Sequence, residues 1–570
     1  MTPGRLIAAA LAALAISAAG PAPALGHAVL ERTVPERGAE LERPPEAIEL
    51  YFNEPIEASF GAVRVFDSSG GQLDTGEQSR PGGDSAAIGV GLPPDLGDGT
   101  YTATYRVVSA DSHPISGGFV FSVGDPGAAP AASVSDLLED SDAGPVTGAA
   151  AGAMRFLTYA ASALVVGGLL FALLAFAPAV APGTRAAAEA FSAHLRWQIA
   201  AAGLVGLMAG ATGIVLQGAT AGGTSFWDAL DPGVVGDVLD TRFGTVWGLR
   251  ELAWLAIALV ALTLARRGRS WLYAAAAPAT FLCAAPALAG HASTQSPSGL
   301  LVPVDIAHVA AMSLWAGGIA TLLLCGRAAM RRLEPTDRTR LLAAALARFS
   351  PLALGAVILL VATGTVQAIV HLESLSDLWD TGFGRALAVK IAVVAVLIGI
   401  GAAQRRRLLP SLRAAAGTGQ APGGAGRLIR RALTAEAALF AVAVAATAVL
   451  VGQPPPSALS EGPQGASATL GEARVDVTVD PALAGSNEVH VYLLDAEDGS
   501  PYDRLRSVAL DATLPAEEIG PIDVELRKAG PGHYTAPDAA LGVPGEWTLE
   551  LSGRASRFEA PEADLQVGIR

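Results

Sequence analysis

The chain has 570 residues, of which 51% are hydrophobic and only 16% are charged, and its mean hydropathy is +0.43. This composition excludes an intrinsically disordered chain and an ordinary soluble enzyme. The formal net charge is −15, and the apolar residues concentrate in long uncharged blocks between two acidic stretches. The sequence therefore predicts a membrane core with a polar domain at each end, and it excludes nucleic acid as a partner.

The first 26 residues have the features of a secretory signal peptide. Arg5 precedes an apolar run from Leu6 to Ala19, and the small residues Ala24 and Gly26 follow it. The run is too short to span a bilayer comfortably, and no stop-transfer pattern follows it before the membrane core. We expect cleavage after Gly26, which makes His27 the first residue of the mature chain.

Residues 27–125 alternate polar and apolar side chains with the period of half-buried strands. The alternation is clearest in the segments 48–52, 63–66, 100–105 and 118–121. It predicts an all-β sandwich of Ig-like or cupredoxin-like type. The 6 basic and 16 acidic residues of this range give a net charge of 6 − 16 = −10, which favours the attraction of cations. A linker rich in Ala, Pro, Gly and Asp covers residues 126–150.

Residues 151–453 contain eight apolar blocks of about 20 residues, the length that a membrane helix needs. The blocks are 154–178, 198–219, 247–265, 271–290, 301–325, 351–371, 385–403 and 431–452. Most arginines of this region follow the first, third, fifth and seventh blocks, which places those loops in the cytoplasm by the positive-inside rule. The sequence thus predicts a multi-pass protein of the cytoplasmic membrane with both terminal domains on the extracytoplasmic side.

The membrane region carries signs of an internal duplication. The pair Gly167-Gly168 recurs as Gly317-Gly318, Ala211-Thr-Gly213 recurs as Ala362-Thr-Gly364, and Asp240-Thr-Arg-Phe-Gly244 recurs as Asp380-Thr-Gly-Phe-Gly384. The two copies of this last motif end six residues before Arg250 and Lys390, respectively. We expect two four-helix repeats of the same orientation, as in many transporter-like proteins.

A second all-β sandwich is predicted after a linker at residues 454–465. Residues 466–570 return to strand alternation, and their 8 basic and 19 acidic residues give a net charge of 8 − 19 = −11. The predicted fold class is therefore mixed and multidomain: an N-terminal β-sandwich, an eight-helix integral membrane domain built as two four-helix repeats, and a C-terminal β-sandwich.

Two histidines of the first sandwich point to a Cu(II) site. With the signal peptide removed, the free amine of His27 and its own imidazole Nδ1 can close a chelate ring on one metal ion. Asp111 and His113 add a carboxylate and a second imidazole two residues apart. Nitrogen and oxygen donors of this kind favour Cu(II). No methionine occurs between residues 27 and 153, so a Cu(I) thioether site in this domain is not supported.

The membrane region offers a second set of candidate ligands, since ionisable residues in membrane helices are functional candidates by default. We assign to this set His291, Asp305, His308, His371 and Met312, with Met208 as a weaker candidate in the second span. Histidine and thioether groups at graded depth would suit inward passage of copper as Cu(I). Cys283 and Cys325 are expected to pack within the apolar blocks. His194, His490 and His533 are expected on the surface.

These residues carry a family resemblance. The segments His27–Leu30, Ile48–Pro55 and Asp111–Phe119 resemble the periplasmic copper-binding CopC family, and the eight spans are similar to the CopD family. The fusion of the two resembles YcnJ-type copper-resistance proteins. The C-terminal segments Gly530–Tyr534 and Pro544–Trp547 are similar to β domains of the YtkA/FixH type. The resemblance implies that His27, Asp111 and His113 bind Cu(II), while Glu54 supports those ligands.

The expected function is copper handling without enzymatic activity. The N-terminal domain would bind Cu(II) outside the membrane and pass it to the membrane domain for import, homeostasis or resistance. The expected partners are copper ions, the lipid bilayer and other extracytoplasmic copper chaperones, and the sequence leaves the oligomeric state open. Two alternatives remain: a haem-bearing membrane oxidoreductase, since membrane histidines can bind haem iron, and a copper-binding sensor or sequestration module without transport.

Overall fold

The structure, a computed structural model, has eight long helices between two groups of β-strands. It describes residues 30–37, 39–52, 55–57, 63–109, 114–124, 144–181, 184–263, 270–294, 297–372, 374–419, 423–453, 464–480, 482–496, 502–555 and 560–569. These fall into two compact units. The helical unit comprises the described parts of Pro145–Gln217 and Val238–Pro456, and the β unit those of His27–Gly144, Gly218–Asp237 and Ser457–Arg570. The predicted mixed multidomain class is confirmed.

The N-terminal β-sandwich has two sheets, ordered β1-β3-β7-β6 and β2-β9-β8-β4, with β5 also paired to β8. Its strands are β1 Leu30–Val34, β2 Glu40–Leu41, β3 Ala47–Phe52, β4 Ile56–Glu57, β5 Val63–Phe66, β6 Gln78–Ser79, β7 Ala87–Gly91, β8 Gly99–Ser109 and β9 Pro114–Val123. Ile48, Leu50 and Phe52 alternate into the core, because successive strand residues point to opposite faces.

The C-terminal β-sandwich also has two antiparallel sheets, ordered β10-β11-β12-β16-β15 and β14-β13-β17-β18. Its strands are β10 Gln464–Leu470, β11 Ala473–Asp480, β12 Gly485–Asp495, β13 Ser507–Leu514, β14 Ile519–Val524, β15 Arg527–Gly530, β16 His533–Leu541, β17 Gly545–Arg554 and β18 Glu562–Ile569. Trp547, Leu549 and Leu551 alternate into a core shared by both sheets. The periodicity thus predicted both sandwiches.

Eight helices of the described chain are long and apolar enough to cross a membrane. They are α1 Gly144–Ala179, α2 Arg185–Gly222, α3 Arg242–Thr263, α4 Ser270–Ala289, α5 Ser298–Met330, α6 Pro335–His371, α7 Gly382–Gly417 and α8 Gly426–Leu450. Each contains most of one predicted apolar block, and several extend well beyond it. The added turns of α2, α5, α6 and α7 contain charged residues, so hydropathy alone could not place those helix ends.

The two halves of the helical unit begin their third helices in the same way. The short helices Pro232–Asp240 and Asp377–Asp380 precede α3 and α7. The Thr241 hydroxyl accepts a hydrogen bond from the Gly244 amide at 2.9 Å, and Thr381 accepts one from Gly384 at 2.9 Å. Both threonines act as N-caps that satisfy an otherwise unpaired amide. The duplication read from these motifs is therefore repeated in three dimensions.

Two equivalent glycines mark the contact between α1 and α5. A Cβ atom added at Gly317 would lie 3.0 Å from the Cα of Gly167, and one added at Gly167 would lie 2.6 Å from the Cα of Gly317. The carbonyl oxygens of Ser313 and Ala163, which are 150 residues apart like the glycines, lie closer still to the added Cβ atoms of Gly167 and Gly317, respectively. The contacts on the two sides are therefore reciprocal, as expected for two repeats related by a local two-fold axis. Only glycine permits the two helix backbones to approach this closely.

Candidate metal sites

The predicted Cu(II) ligands His27, Glu54, Asp111 and His113 lie outside the described residues. Their described neighbours are nevertheless informative. Leu30, which follows the first segment, pairs with Phe52, which precedes Glu54.

The pairing continues on the other side of these segments. Ile56, which follows Glu54, pairs with Ser109, and Val108 pairs with Pro114 on the two sides of residues 110–113. The amides of Phe52 and Ile56 also bond to the consecutive carbonyl groups of Ala86 and Ser85. Residues that flank all three segments are therefore paired at one end of the sandwich.

His308 is the best-defined candidate ligand within the helices. Its Nδ1 atom lies 2.9 Å from the Thr363 hydroxyl of α6. That hydroxyl donates its only proton to the carbonyl oxygen of Leu359 at 2.7 Å, so it must accept from His308. The proton of the neutral ring is thereby held on Nδ1, and Nε2 keeps the lone pair that a metal ion requires. Gly364 leaves room for the ring, because an added Cβ there would contact His308 Cε1 at 3.4 Å.

Asp305 lies one helical turn before His308 and has its own partner on α6. Its Oδ1 atom accepts a hydrogen bond from Gln367 Nε2 at 2.9 Å. Lys390 of α7 is near enough to interact electrostatically with both Asp305 and His308. Three helices thus contribute polar side chains to one place in an apolar bundle, where such groups are costly unless they are paired or functional.

The depth of this cluster follows from helix geometry. His308 is ten residues from the start of α5, and Thr363 is eight residues from the end of α6. At a rise of about 1.5 Å per residue, these positions lie roughly 15 and 12 Å along their helices. His308 therefore lies about three helical turns from the start of α5, which begins three residues before the predicted block, and its position near the outer membrane face stays a prediction.

The other predicted membrane ligands are His291, His371, Met312 and Met208. His291 begins a helical turn that ends at Ser293, after α4. His371 is the last residue of α6, and its ring centroid lies 6.0 Å from that of Phe383. Met312 is half-buried against the helical core, whereas Met208 is 60% exposed on the outer surface of the bundle. Met208 is therefore a poor candidate for an internal copper path.

The first repeat lacks a counterpart of His308. The offset of 150 residues that relates Gly167 to Gly317 brings Thr158 to the position of His308 and Arg155 to that of Asp305. Lys390 corresponds to Arg250, whose guanidinium lies 3.9 Å from the Trp247 ring centroid and 3.4 Å from a Glu251 oxygen. The imidazole ligand is therefore specific to the second repeat.

Two histidines that were expected on the surface are buried, so that prediction is wrong. His490 is 3% exposed and His533 is 1% exposed, on adjacent strands of the C-terminal sandwich. Burial holds the pKa of His533 well below its usual value, which keeps the ring neutral. Strand alternation does place His490 opposite the buried Val489 and Val491, but it could not show that the second face of the sheet is also covered.

The other histidine and the cysteines behave as predicted. His194 is exposed on α2, where its Nδ1 atom lies 2.9 Å from the carbonyl oxygen of Ala190. Cys283 and Cys325 are buried free thiols. The Cys325 thiol donates to Gln198 Oε1 at 3.2 Å within the apolar bundle.

Sequence reasoning missed the supporting residues Thr363, Gln367 and Lys390. Lys390 carried a usable signal, because it is one of only two lysines and lies within an apolar block. Thr363 and Gln367 carried none, since their roles depend on the packing of α6 against α5. Throughout the described ranges, no three His, Cys, Asp or Glu side chains are arranged to hold a metal ion together.

Family comparisons match most of the chain in three consecutive parts. Residues 30–124 match the CopC domain. Residues 146–300 match the N-terminal domain of copper resistance protein D-like proteins, and residues 343–450 match copper resistance protein D. The two membrane matches fall on the first and second repeats.

Relatives with curated names agree with this division. The chain is 26% identical over 549 residues to the copper transport protein CutJ of Bacillus subtilis (strain 168), covering 94% of this chain and 95% of that protein. It is 33% identical over 97 residues to protein YobA of Escherichia coli (strain K12), covering 17% of this chain and 78% of YobA.

Two solved structures resemble the N-terminal domain. CopC from Methylosinus trichosporium OB3b is 24% identical with a TM-score of 0.16, covering 18% of this chain and 95% of that one. PcoC, a methionine-rich copper resistance protein from Escherichia coli, is 28% identical with a TM-score of 0.16, covering 17% and 99% of the two chains.

The fold and the polar cluster define a multi-pass membrane protein with a β-sandwich at each end of its helical region. Its three matched domains specify the class further. The chain carries CopC, copper resistance protein D-like N-terminal and copper resistance protein D domains in one sequence, and it is a copper-handling protein of that type. The similarity of its C-terminal sandwich to YtkA/FixH-type domains stays a prediction.

Proposed function

We propose that this protein captures Cu(II) outside the cytoplasmic membrane with its N-terminal domain and passes copper to the helical unit for import. His27, Asp111 and His113 form the capture site in this proposal, supported by Glu54. The signal peptide and the arginine-rich loops support extracytoplasmic terminal domains. The chain carries copper and catalyses no covalent chemistry.

The strand pairing of the N-terminal sandwich supports one shared Cu(II) site. Leu30 pairs with Phe52 and Ile56 with Ser109, so the chain enters and leaves the three ligand segments at neighbouring points. An amine, two imidazoles and a carboxylate that meet there would suit Cu(II). The net charge of −10 across residues 27–125 would attract the ion.

The contact between His308 Nδ1 and the Thr363 hydroxyl is the observation that carries the membrane half of the proposal. Because that hydroxyl donates to the Leu359 carbonyl, it favours the tautomer with the proton on Nδ1, in which Nε2 is able to bind copper. In this proposal Met312, four residues further along α5, supplies a soft thioether ligand that favours Cu(I). A one-electron reductant outside this chain would reduce Cu(II) to Cu(I) before copper reaches this ligand. Asp305 and Lys390 balance each other's charge beside the path, and His291 and His371 are entry residues.

Copper accumulation in copper-limited cells tests this function. We expect His113→Ala and His308→Gln each to lower the rate of radiocopper uptake about 10-fold or more, because each removes an imidazole ligand. The matched control is His194→Gln, which replaces an exposed histidine of α2 and should leave uptake unchanged. Uptake that stays at the wild-type rate in both ligand variants, at equal protein levels, would rule out import by this route.

A further inference from the structure

A row of buried polar side chains crosses the outer face of β12 in the C-terminal sandwich. Glu488, His490 and Tyr492 alternate along this strand and are 3%, 3% and 8% exposed. The intervening residues point the other way, into the hydrophobic core: Val489, Val491 and Leu493. His533 of β16 pairs with Tyr492 and is 1% exposed. Polar groups buried to this extent need hydrogen-bond partners or a ligand.

The imidazoles of His490 and His533 face one another edge to edge. His490 Nδ1 lies 3.2 Å from His533 Nε2, and the two ring planes differ by 13°. Tyr492 stacks on His533 with a centroid distance of 4.3 Å and fixes the plane of that ring. A separation of 3.2 Å suits two nitrogens that share one proton. Widening it to about 4 Å by a small rotation of the side chains would admit one metal ion at about 2.0 Å from each nitrogen.

Glu488 approaches the far side of the His490 ring. Its Oε1 atom lies 3.2 Å from His490 Nε2. A carboxylate at one imidazole nitrogen commonly orients a metal-binding histidine, because it keeps the ring proton on that nitrogen and the lone pair on the other. Among the described residues, four atoms of this group make no hydrogen bond of normal geometry: His533 Nδ1, His490 Nε2 and both Glu488 carboxylate oxygens. The 3.2 Å contact of Glu488 with His490 thus places a carboxylate beside the ring without closing a hydrogen bond.

Two buried carboxyl groups share one guanidinium beside this pair. Arg37 of the N-terminal sandwich lies 3.2 Å from an Asp480 oxygen and 3.9 Å from a Glu488 oxygen. Asp480 and Glu488 are 5% and 3% exposed, and burial raises the pKa of Asp480 because it disfavours the ionised form. A cation bound nearby would favour the ionised form of both carboxyl groups.

We propose that His490 and His533 bind one Cu(I) ion through Nδ1 and Nε2, with Glu488 as the positioning residue for His490. The ion replaces the hydrogen bond between the rings. The proton of His533 moves from Nε2 to Nδ1 in this step, so that no proton is lost and the ion adds one positive charge beside the two carboxyl groups. The site is distinct from the Cu(II) ligands of the N-terminal domain and from His308, and it assigns copper binding to the C-terminal sandwich.

Cu(I) competition with the chelator bicinchoninate tests the site in the purified full-length chain. The starting protein carries His113→Ala and His308→Gln, which remove ligands of the other two proposed sites. We expect one equivalent of tightly bound Cu(I) in this protein and its loss when His490→Gln and His533→Gln are added. Adding His194→Gln instead is the matched control, and this variant should still bind one equivalent of Cu(I).

Glu488→Gln gives a second variant of nearly unchanged size in case the double substitution does not fold. Loss of the orienting carboxylate should weaken Cu(I) binding about 10- to 100-fold without changing its stoichiometry. X-ray absorption at the copper edge should then report nitrogen neighbours that disappear with the two histidines. The proposal is wrong if the starting protein binds no Cu(I), if its affinity is the same in Glu488→Gln, or if the site takes only Zn(II).

Discussion

The hydroxyl of Thr363 decides which nitrogen of His308 can bind a metal ion. A free imidazole exchanges its proton between two nitrogens, but this ring has a fixed acceptor on one side. The restriction has an electronic consequence as well as a geometric one, because a histidine that donates from one nitrogen becomes a better ligand at the other. The candidate ligand and its support therefore lie on different helices.

Replacing Thr363 by valine tests this arrangement, because valine has a similar shape and no hydroxyl. We expect the KM for copper uptake to rise about 10- to 100-fold, while the amount of folded protein is unchanged. Thr365→Val is the control, since Thr365 also donates to a backbone carbonyl of α6, that of Val361 at 2.8 Å, but is exposed on the bundle surface. Equal KM values for the two variants would contradict the role assigned to Thr363.

The candidate residues differ in how far the sequence alone could reveal them. His308 stands out because an imidazole in an apolar block is rare and costly. The burial of His490 and His533 could not be inferred, since the burial of an outer sheet face depends on what covers it. Arg37, far away in sequence, contacts the same face through Asp480. Long-range contacts of this kind leave no local periodicity.

The paired glycines of α1 and α5 set how closely the two repeats approach. Gly317→Ala would place a Cβ 3.0 Å from the Gly167 Cα and closer still to the Ala163 carbonyl. Because backbone atoms cannot move aside as a side chain does, we expect a loss of about 1–3 kcal/mol in the free energy of unfolding. Thermal unfolding of the purified chain in detergent measures it.

Gly355→Ala is the matched control for this helix contact. Gly355 lies in α6, and an added Cβ there has no atom within 4 Å. The substitution should be neutral or slightly stabilising, since alanine favours helix. If both variants melt at the same temperature as the unchanged chain, the close approach of α1 and α5 is not what stabilises the helical unit.

At the scale of the whole molecule, the orientation of the eight helices decides which compartment supplies the copper. Ser376 lies between α6 and α7, and Thr418 lies after α7, and both are exposed. We expect a membrane-impermeant maleimide to label Ser376→Cys in intact cells and Thr418→Cys only after lysis. The two native cysteines are 3% and 1% exposed and should contribute little background. Labelling of Thr418→Cys in intact cells would invert the proposed orientation.

Hydropathy and alternation were sufficient to predict the division of the chain into sandwich, helices and sandwich. Both signals are local, because burial of one strand face or of a whole span determines the pattern of polar and apolar residues among sequence neighbours. Helix ends and partner residues were less accessible. α6 extends sixteen residues before its predicted block, because its first turns are charged, and the pairing of Gln367 with Asp305 depends on how α5 and α6 pack.

The crossing of α1 and α5 at equivalent glycines also bears on the history of the protein. A freshly duplicated four-helix unit would carry the same side chains on both sides of its axis, yet Thr158 and Arg155 now stand opposite His308 and Asp305. The backbone symmetry has been kept while the chemistry has diverged. Both halves keep the glycine at which their helices cross, whereas only the second half carries the candidate ligand His308.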